Sequence, residues 1–199
     1  MCCLMAYSLT SLQDDCYEGT NVLKNKFGLK EEKQLVIAER NITSALIAKA
    51  ELEIPFCNVN FEFYKDLHKY VFGDIYEWAG QTRKVDFSKK NTKFCNADEI
   101  EQKGIMIFQQ LIKNNFFRDM KRKEFICELT ELYCDLNMLH PFREGNGRIQ
   151  RLFLSMLLRN INKSIDFTKI DKDEIMIATI KSATGDIFML KDLLDKHIK

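Results

Sequence analysis

The residues able to do chemistry crowd into one run, His140-Pro141-Phe142-Arg143-Glu144-Gly145-Asn146-Gly147-Arg148-Ile149-Gln150-Arg151. An imidazole with an unperturbed pKa of about 6.5 can take a hydroxyl proton near neutral pH, which makes His140 a candidate base. Glu144 is the run's only carboxylate, and Mg²⁺ prefers one or two carboxylates together with phosphate oxygens. Gly145 and Gly147 allow a sharp turn and a close approach of backbone N–H groups to a ligand. Asn146 can offer its amide to a phosphate oxygen, while Arg148 and Arg151 supply a cationic clamp. Phosphate transfer needs charge neutralised, a nucleophile aligned and its proton removed, and this run holds a group for each task.

Two helices must carry these residues. Phe125, Leu129, Leu132, Leu136 and Leu139 recur at fours and threes, the spacing of one apolar helix face. Pro141 cannot continue that ladder and disfavours helical backbone at the residue before it, so the helix ends at His140. Ile149, Leu152, Phe153, Met156 and Leu157 keep the same rhythm downstream, with Arg148, Arg151, Ser155 and Arg159 on another face. The segment Arg143 to Gly147 is then a tight loop feeding a helix N-terminus, where N–H groups lack partners and the field is positive. Two arginines placed there are unfavourable unless a polyphosphate is bound. Phe142 reads as the loop's anchor in the core. The alternative is a plain Gly-Asn-Gly turn with both arginines in water.

The run matches in full the signature H-x-F-x-[DE]-G-N-G-R-x-x-R and thereby resembles the Fic family. The stretch Phe72-Gly73-Asp74-Ile75-Tyr76-Glu77-Trp78-Ala79-Gly80-Gln81 and residues 88–94 are similar to the family's approach to its flap hairpin. Tyr17-Glu18-Gly19-Thr20-Asn21-Val22-Leu23-Lys24-Asn25 resembles the leading segment of many bacterial members. The resemblance implies AMP transfer from ATP to a Tyr, Thr or Ser hydroxyl of a target protein, with pyrophosphate released. His140 would be the base and Glu144 would hold Mg²⁺. Gly145, Asn146, Gly147 and Arg148 would bind α- and β-oxygens, with Arg151 toward the γ-phosphate. Lys93 and Phe94 would belong to a flap that docks the target by strand pairing. Relatives that move other groups usually replace a glycine of this loop, and both are present here. The competing readings are a phosphotransferase or phosphocholine transferase on the same fold, or a catalytically silent nucleotide-binding module.

Many members carry an inhibitory helix with [ST]-x-x-x-E-[GN]. Asp14-x-x-x-Glu18-Gly19 lacks the hydroxyl, and Ser182-x-x-x-Asp186 has the wrong acid across a glycine, so neither reads as a self-inhibitor. The chain thus resembles members restrained by a separate small antitoxin, or unrestrained ones, and a type II topoisomerase subunit is a target by family precedent only.

The 199-residue chain suits a single domain, with an N-terminal arm over 1–30, a hairpin over 84–95 and the loop over 140–151. A formal net charge of +1 gives no basic field for nucleic acid or a membrane surface. Seven scattered cysteines without zinc spacing fit a reduced, cytoplasmic chain, although export as an effector stays compatible with the sequence. Helices are expected over about 31–52, 61–71, 96–113, 172–184 and 186–198, besides the pair that flanks the loop. The first has Leu35, Ala38, Ile42, Ala45 and Leu46 on its inner face, and Gly73 stops the second. Asn96 and Glu99 form a capping box for the third. His68 reads as a hydrogen-bonded structural histidine. Val85 and Phe87 alternate with polar residues around a Lys89-Lys90-Asn91 turn, the only β pattern. The expected fold is all-α, a helical bundle around the loop's helix pair with one small β-hairpin.

Overall fold

The computed structural model describes residues 15–89 and 92–199. Met1 to Asp14, with Cys2 and Cys3, and the hairpin turn at Lys90 and Asn91 lie outside that description. Among the described residues seven α-helices run in the order α1 (Glu32–Glu53), α2 (Phe61–Phe72), α3 (Ile100–Lys113), α4 (Arg122–Leu139), α5 (Asn146–Asn160), α6 (Lys172–Ser182) and α7 (Phe188–His197). Two strands, β1 (Ser88–Lys89) and β2 (Thr92–Lys93), pair antiparallel between α2 and α3. The expected all-α bundle with a single hairpin is what folds.

The central helix is α5, packed against α1, α2 and α4. Its apolar side explains why: Ile149, Leu152, Phe153, Leu154, Met156, Leu157 and Leu158 are all buried, a stripe too wide for one neighbour to cover. Phe153 meets an aromatic cluster of Phe56, Tyr64 and Phe108, with ring centroids 5.2–5.9 Å apart. Gly104 on α3 exists for this packing, since a Cβ there would stand 2.6 Å from the Phe61 ring. The α6–α7 pair closes over α4.

Three local expectations shift. Asn96 does not cap a helix backbone. Its amide donates to Glu99 Oε2 at 3.0 Å, a short 3₁₀ turn covers 97–99, and the Ala97 N–H goes to Asp86 Oδ1 at 2.7 Å. Gly73 ends α2 in right-handed helical conformation, so it is not a left-handed stop. A Cβ there would sit 2.5 Å from the Lys69 carbonyl oxygen, and this crowding is what favours glycine. The inner face of α1 is centred on Leu35, Thr43 and Ala50, which turns Glu39 inward and leaves Ala45 outside. The reason lies in the site that α1 covers.

Candidate active site

The left-handed turn at His140 (φ 42, ψ 57) ends α4 directly before Pro141, a backbone state disfavoured for a residue with a Cβ. Arg83 holds the turn from the other side. Its Nε–H donates to the His140 carbonyl at 2.8 Å and its own backbone N–H to the Pro141 carbonyl at 2.8 Å. Its remaining nitrogens donate to the carbonyls of Val85, at 2.6 Å, and Cys95. One buried guanidinium thus ties the base of the hairpin to the catalytic candidate. The His140 ring lies on Phe94, 4.0 Å between centroids and 18° between planes. Its Nδ1 is 3.3 Å from the Asn137 carbonyl, so Nδ1 carries the proton and Nε2 is the basic nitrogen.

Phe142 is wholly buried, as its anchoring role requires, and stacks on His68 at 3.9 Å. From there the loop is clamped by Asn146. Its Oδ1 accepts from the Phe142 N–H at 2.9 Å, and its Nδ2 donates to the Phe142 carbonyl at 2.8 Å. One of this amide's two N–H groups, expected to meet a phosphate oxygen, is thus committed to the loop. Position 146 also offers an anion its backbone N–H, at a point where a helix leaves such groups without an acceptor. Gly145 (φ 82) precedes α5 in the left-handed region, and a Cβ on it would lie 2.3 Å from the Phe72 ring. Glycine is therefore needed here against the core as well as for the turn.

Glu144 Oε1 accepts from the Gly145 N–H at 2.9 Å and from Arg148 Nη2 at 3.1 Å. Its second oxygen takes no hydrogen bond among the described residues. Arg148 also pairs with Glu39 Oε1 at 2.7 Å, reaches Thr43 Oγ1 at 3.3 Å and lies over the Phe72 ring at 4.7 Å. Tyr76 O–H donates to the other oxygen of Glu39. Burial alone would lower the pKa of Arg148, but Glu39 and Glu144 outweigh it and the net shift is upward. Arg151 is the opposite case. Burial and then Arg148, offset only by Tyr133, hold its pKa below the usual value, and no ion pair reaches it among the described residues. It is a partly buried cation one turn into α5, its Nη1 only 3.2 Å from where a Gly147 Cβ would stand.

The loop residues expected from sequence thus come together, with Lys93 exposed on β2 beside them. Phe94 is buried against His140, so it backs the imidazole and offers little docking surface. A cavity of about 590 Å³ opens next to it, lined by Lys93, Cys95, Met106, Met138 and Leu139 among others. Three participants carry no local sequence signal, Glu39, Thr43 and Arg83, while Arg143, inside the run but given no role there, pairs with Asp15 at 3.2 Å. Only the four-residue step from Leu35 to Glu39 to Thr43 hints that polar groups share the inner face of α1. No cluster of three or more His, Cys, Asp or Glu able to cage a metal occurs among the described residues.

The Fic/DOC family profile matches residues 58–158. The chain is 33% identical over 173 residues to a probable protein adenylyltransferase of Sinorhizobium fredii, covering 86% of this chain and 88% of the relative. It is 29% identical over 182 residues to the probable protein adenylyltransferase Fic of Escherichia coli, covering 92% and 90%. The BepC effector of Bartonella tribocorum, solved with bound AMPPNP, superposes with a TM-score of 0.86 at 25% identity over 94% of this chain and 97% of that one. A Fic domain from Bartonella quintana with bound ADP gives 0.87 at 26% identity, over 94% of each chain. The loop, the helix pair and the whole bundle agree with these relatives, and the chain belongs to the Fic/DOC family.

Proposed function

We propose that the chain is a protein adenylyltransferase, moving AMP from ATP to a hydroxyl side chain of a target protein. The observation that carries this reading is the contrast between the two arginines. Arg148 is neutralised by two carboxylates, whereas Arg151 holds a half-buried charge with no described counter-ion, one turn above the unpaired N–H groups of Asn146 and Gly147. A polyphosphate satisfies both at once. Relatives are named for this activity, and solved neighbours hold ADP or AMPPNP.

The chain's own residues fit the remaining tasks. The target hydroxyl loses its proton to His140 Nε2 as its oxygen bonds to the α-phosphorus. The bond from that phosphorus to the bridging oxygen breaks, and pyrophosphate leaves. The first-turn amides and Arg148 steady the α- and β-oxygens, and Arg151 takes the γ-phosphate. Glu144 fits Mg²⁺, because it is a lone carboxylate with one uncommitted oxygen and no cage around it, the pattern for an ion arriving with phosphates. Bound there, the ion would neutralise phosphate charge. The β2 edge at Thr92 and Lys93 would align the target segment, with the cavity beside Phe94 receiving its side chains. A small helical partner could silence the enzyme by presenting one glutamate to Arg151, and a topoisomerase subunit is a target to test. A reduced cytoplasmic setting suits the five described cysteines, all free.

The test follows label into protein from α- and γ-labelled ATP, with His140→Ala alongside. Only α-label should appear, and the variant should lose it by about 10²- to 10⁴-fold while ATP binding persists. Incorporation of γ-label would make this a phosphotransferase, and no label with intact binding would make it a silent module.

A further inference from the structure

His68 stands outside the signature, 72 positions before His140, and is buried in the middle of α2. Its ring is sandwiched between Phe72, at 4.7 Å, and Phe142, at 3.9 Å, with interplanar angles of 19° and 24°. Both nitrogens are bonded, and the bonds fix which one holds the proton. The Gly80 N–H donates to Nδ1 at 2.9 Å, so Nδ1 is an acceptor. Nε2 then carries the hydrogen and donates to the Glu144 carbonyl at 3.0 Å.

That carbonyl belongs to the peptide unit joining Glu144 to Gly145. A trans peptide is planar, so its C=O and N–H point in opposite directions and turn together. The N–H of the same unit, on Gly145, donates to Glu144 Oε1 at 2.9 Å. Holding one end of the unit therefore aims the other end at the carboxylate. Gly145 itself is left-handed and free of a Cβ, so nothing in its own stereochemistry fixes that plane. We infer that His68 is a positioning residue of the catalytic loop, setting through the Glu144–Gly145 peptide the direction of the carboxylate that takes the metal–nucleotide. The inference rests on Glu144 serving that purpose, as proposed above.

Two substitutions separate this role from simple packing. In His68→Gln the side-chain amide reaches the place of Nε2 and can still donate to the Glu144 carbonyl. In His68→Asn the amide reaches only the place of Nδ1, keeping Gly80 and abandoning Glu144. Both lose the aromatic sandwich, so thermal unfolding should report a similar loss of stability for the two. ATP binding would be titrated against Mg²⁺ by calorimetry on the full chain. The glutamine variant should stay within about threefold of the unchanged protein, and the asparagine variant should need about tenfold more Mg²⁺ or beyond, the usual effect of removing a group that orients a ligand. Equal Mg²⁺ dependence in the two, or a glutamine variant as weak as the asparagine one, overturns the inference. A measurement on the unchanged chain guards against variants that do not fold. The His68 Nε2–H should give a slowly exchanging imidazole proton resonance that moves on adding Mg²⁺ and ATP together and moves less with ATP alone. A resonance that is absent, or blind to the metal, overturns the inference too. Mg²⁺-dependent ATP binding by the unchanged chain is established first, and its failure would remove the adenylyltransferase reading and this inference with it.

Discussion

Arg148 and Arg151 are three residues apart on one helix, yet removing them should have opposite consequences for the fold. Arg148→Met strips the partner from Glu39, Glu144 and Thr43, and breaking a largely buried pair costs about 3 kcal/mol or more. Arg151→Met removes a charge that burial already disfavours and that no described carboxylate balances. Its melting temperature should hold or rise, while ATP affinity falls at least about tenfold, the worth of a charge-assisted hydrogen bond. Calorimetry and thermal unfolding of both proteins check the pair. Equal destabilisation would mean that Arg151 has a structural partner. His68 predicts a pH effect of known sign. Burial pushes its pKa down to about 3, so the folded chain refuses a proton that the unfolded chain takes near 6.5. Its stabilising effect is complete above about 6.5 and is lost as pH falls toward 3, by about 1.4 kcal/mol per unit. Urea unfolding at pH 6.5 and 5 should show His68→Leu losing about 2 kcal/mol less over that interval than the unchanged chain. At this scale the signature residues were legible because they are neighbours in sequence. Glu39 and Arg83 were not, since their partners lie 109 and 57 positions away, Arg148 and His140 respectively, and local spacing says nothing of that.

The loop between α4 and α5 works because its glycines answer different constraints. Gly145→Ala meets both a left-handed backbone and the Phe72 ring at 2.3 Å, so the first turn of α5 must shift. It should unfold at markedly lower temperature and bind ATP poorly. Gly147→Ala keeps helical backbone and meets only the end of a flexible side chain, Arg151 Nη1, at 3.2 Å. That variant should fold with little loss and weaken ATP binding by displacing the guanidinium. Near-equal melting temperatures for the two would contradict this division. Element types and order were readable from period and punctuation, because α4 and α5 each have one wide apolar face. The face of α1 was misplaced for a physical reason. Its inner side carries Glu39 and Thr43, which an apolar count excludes, and burial is tolerated there only because Arg148 arrives from another helix. The capping box failed similarly, when the Glu99 N–H that the Asn96 side chain was expected to serve went to the Asn96 carbonyl at 3.1 Å in a 3₁₀ turn.

Across the molecule, the restraint proposed above would act on Arg151, so what lies near it matters. No carboxylate of the described arm residues, 15–30, pairs with it; Asp15 reaches Arg143 instead, at 3.2 Å. The arm is also tied down by the Lys26 N–H to the Ile75 carbonyl at 2.8 Å, while an antiparallel backbone bridge between Cys16 and Leu23 folds it on itself. Among the described residues the Asp15 contact braces the loop at Arg143 and no arm carboxylate stands against Arg151. The full chain should therefore label itself when incubated with Mg²⁺ and α-labelled ATP, without any release mutation. A version deleted for residues 1–30 should be no more active and should melt earlier, because Arg143 then keeps its place over the Phe87 ring without its carboxylate. Each protein would be followed for label per mole of chain and for melting temperature. A silent full chain beside an active truncation would overturn the expectation and locate a brake in the arm, since only removal of a competitor for Arg151 could raise transfer while lowering stability.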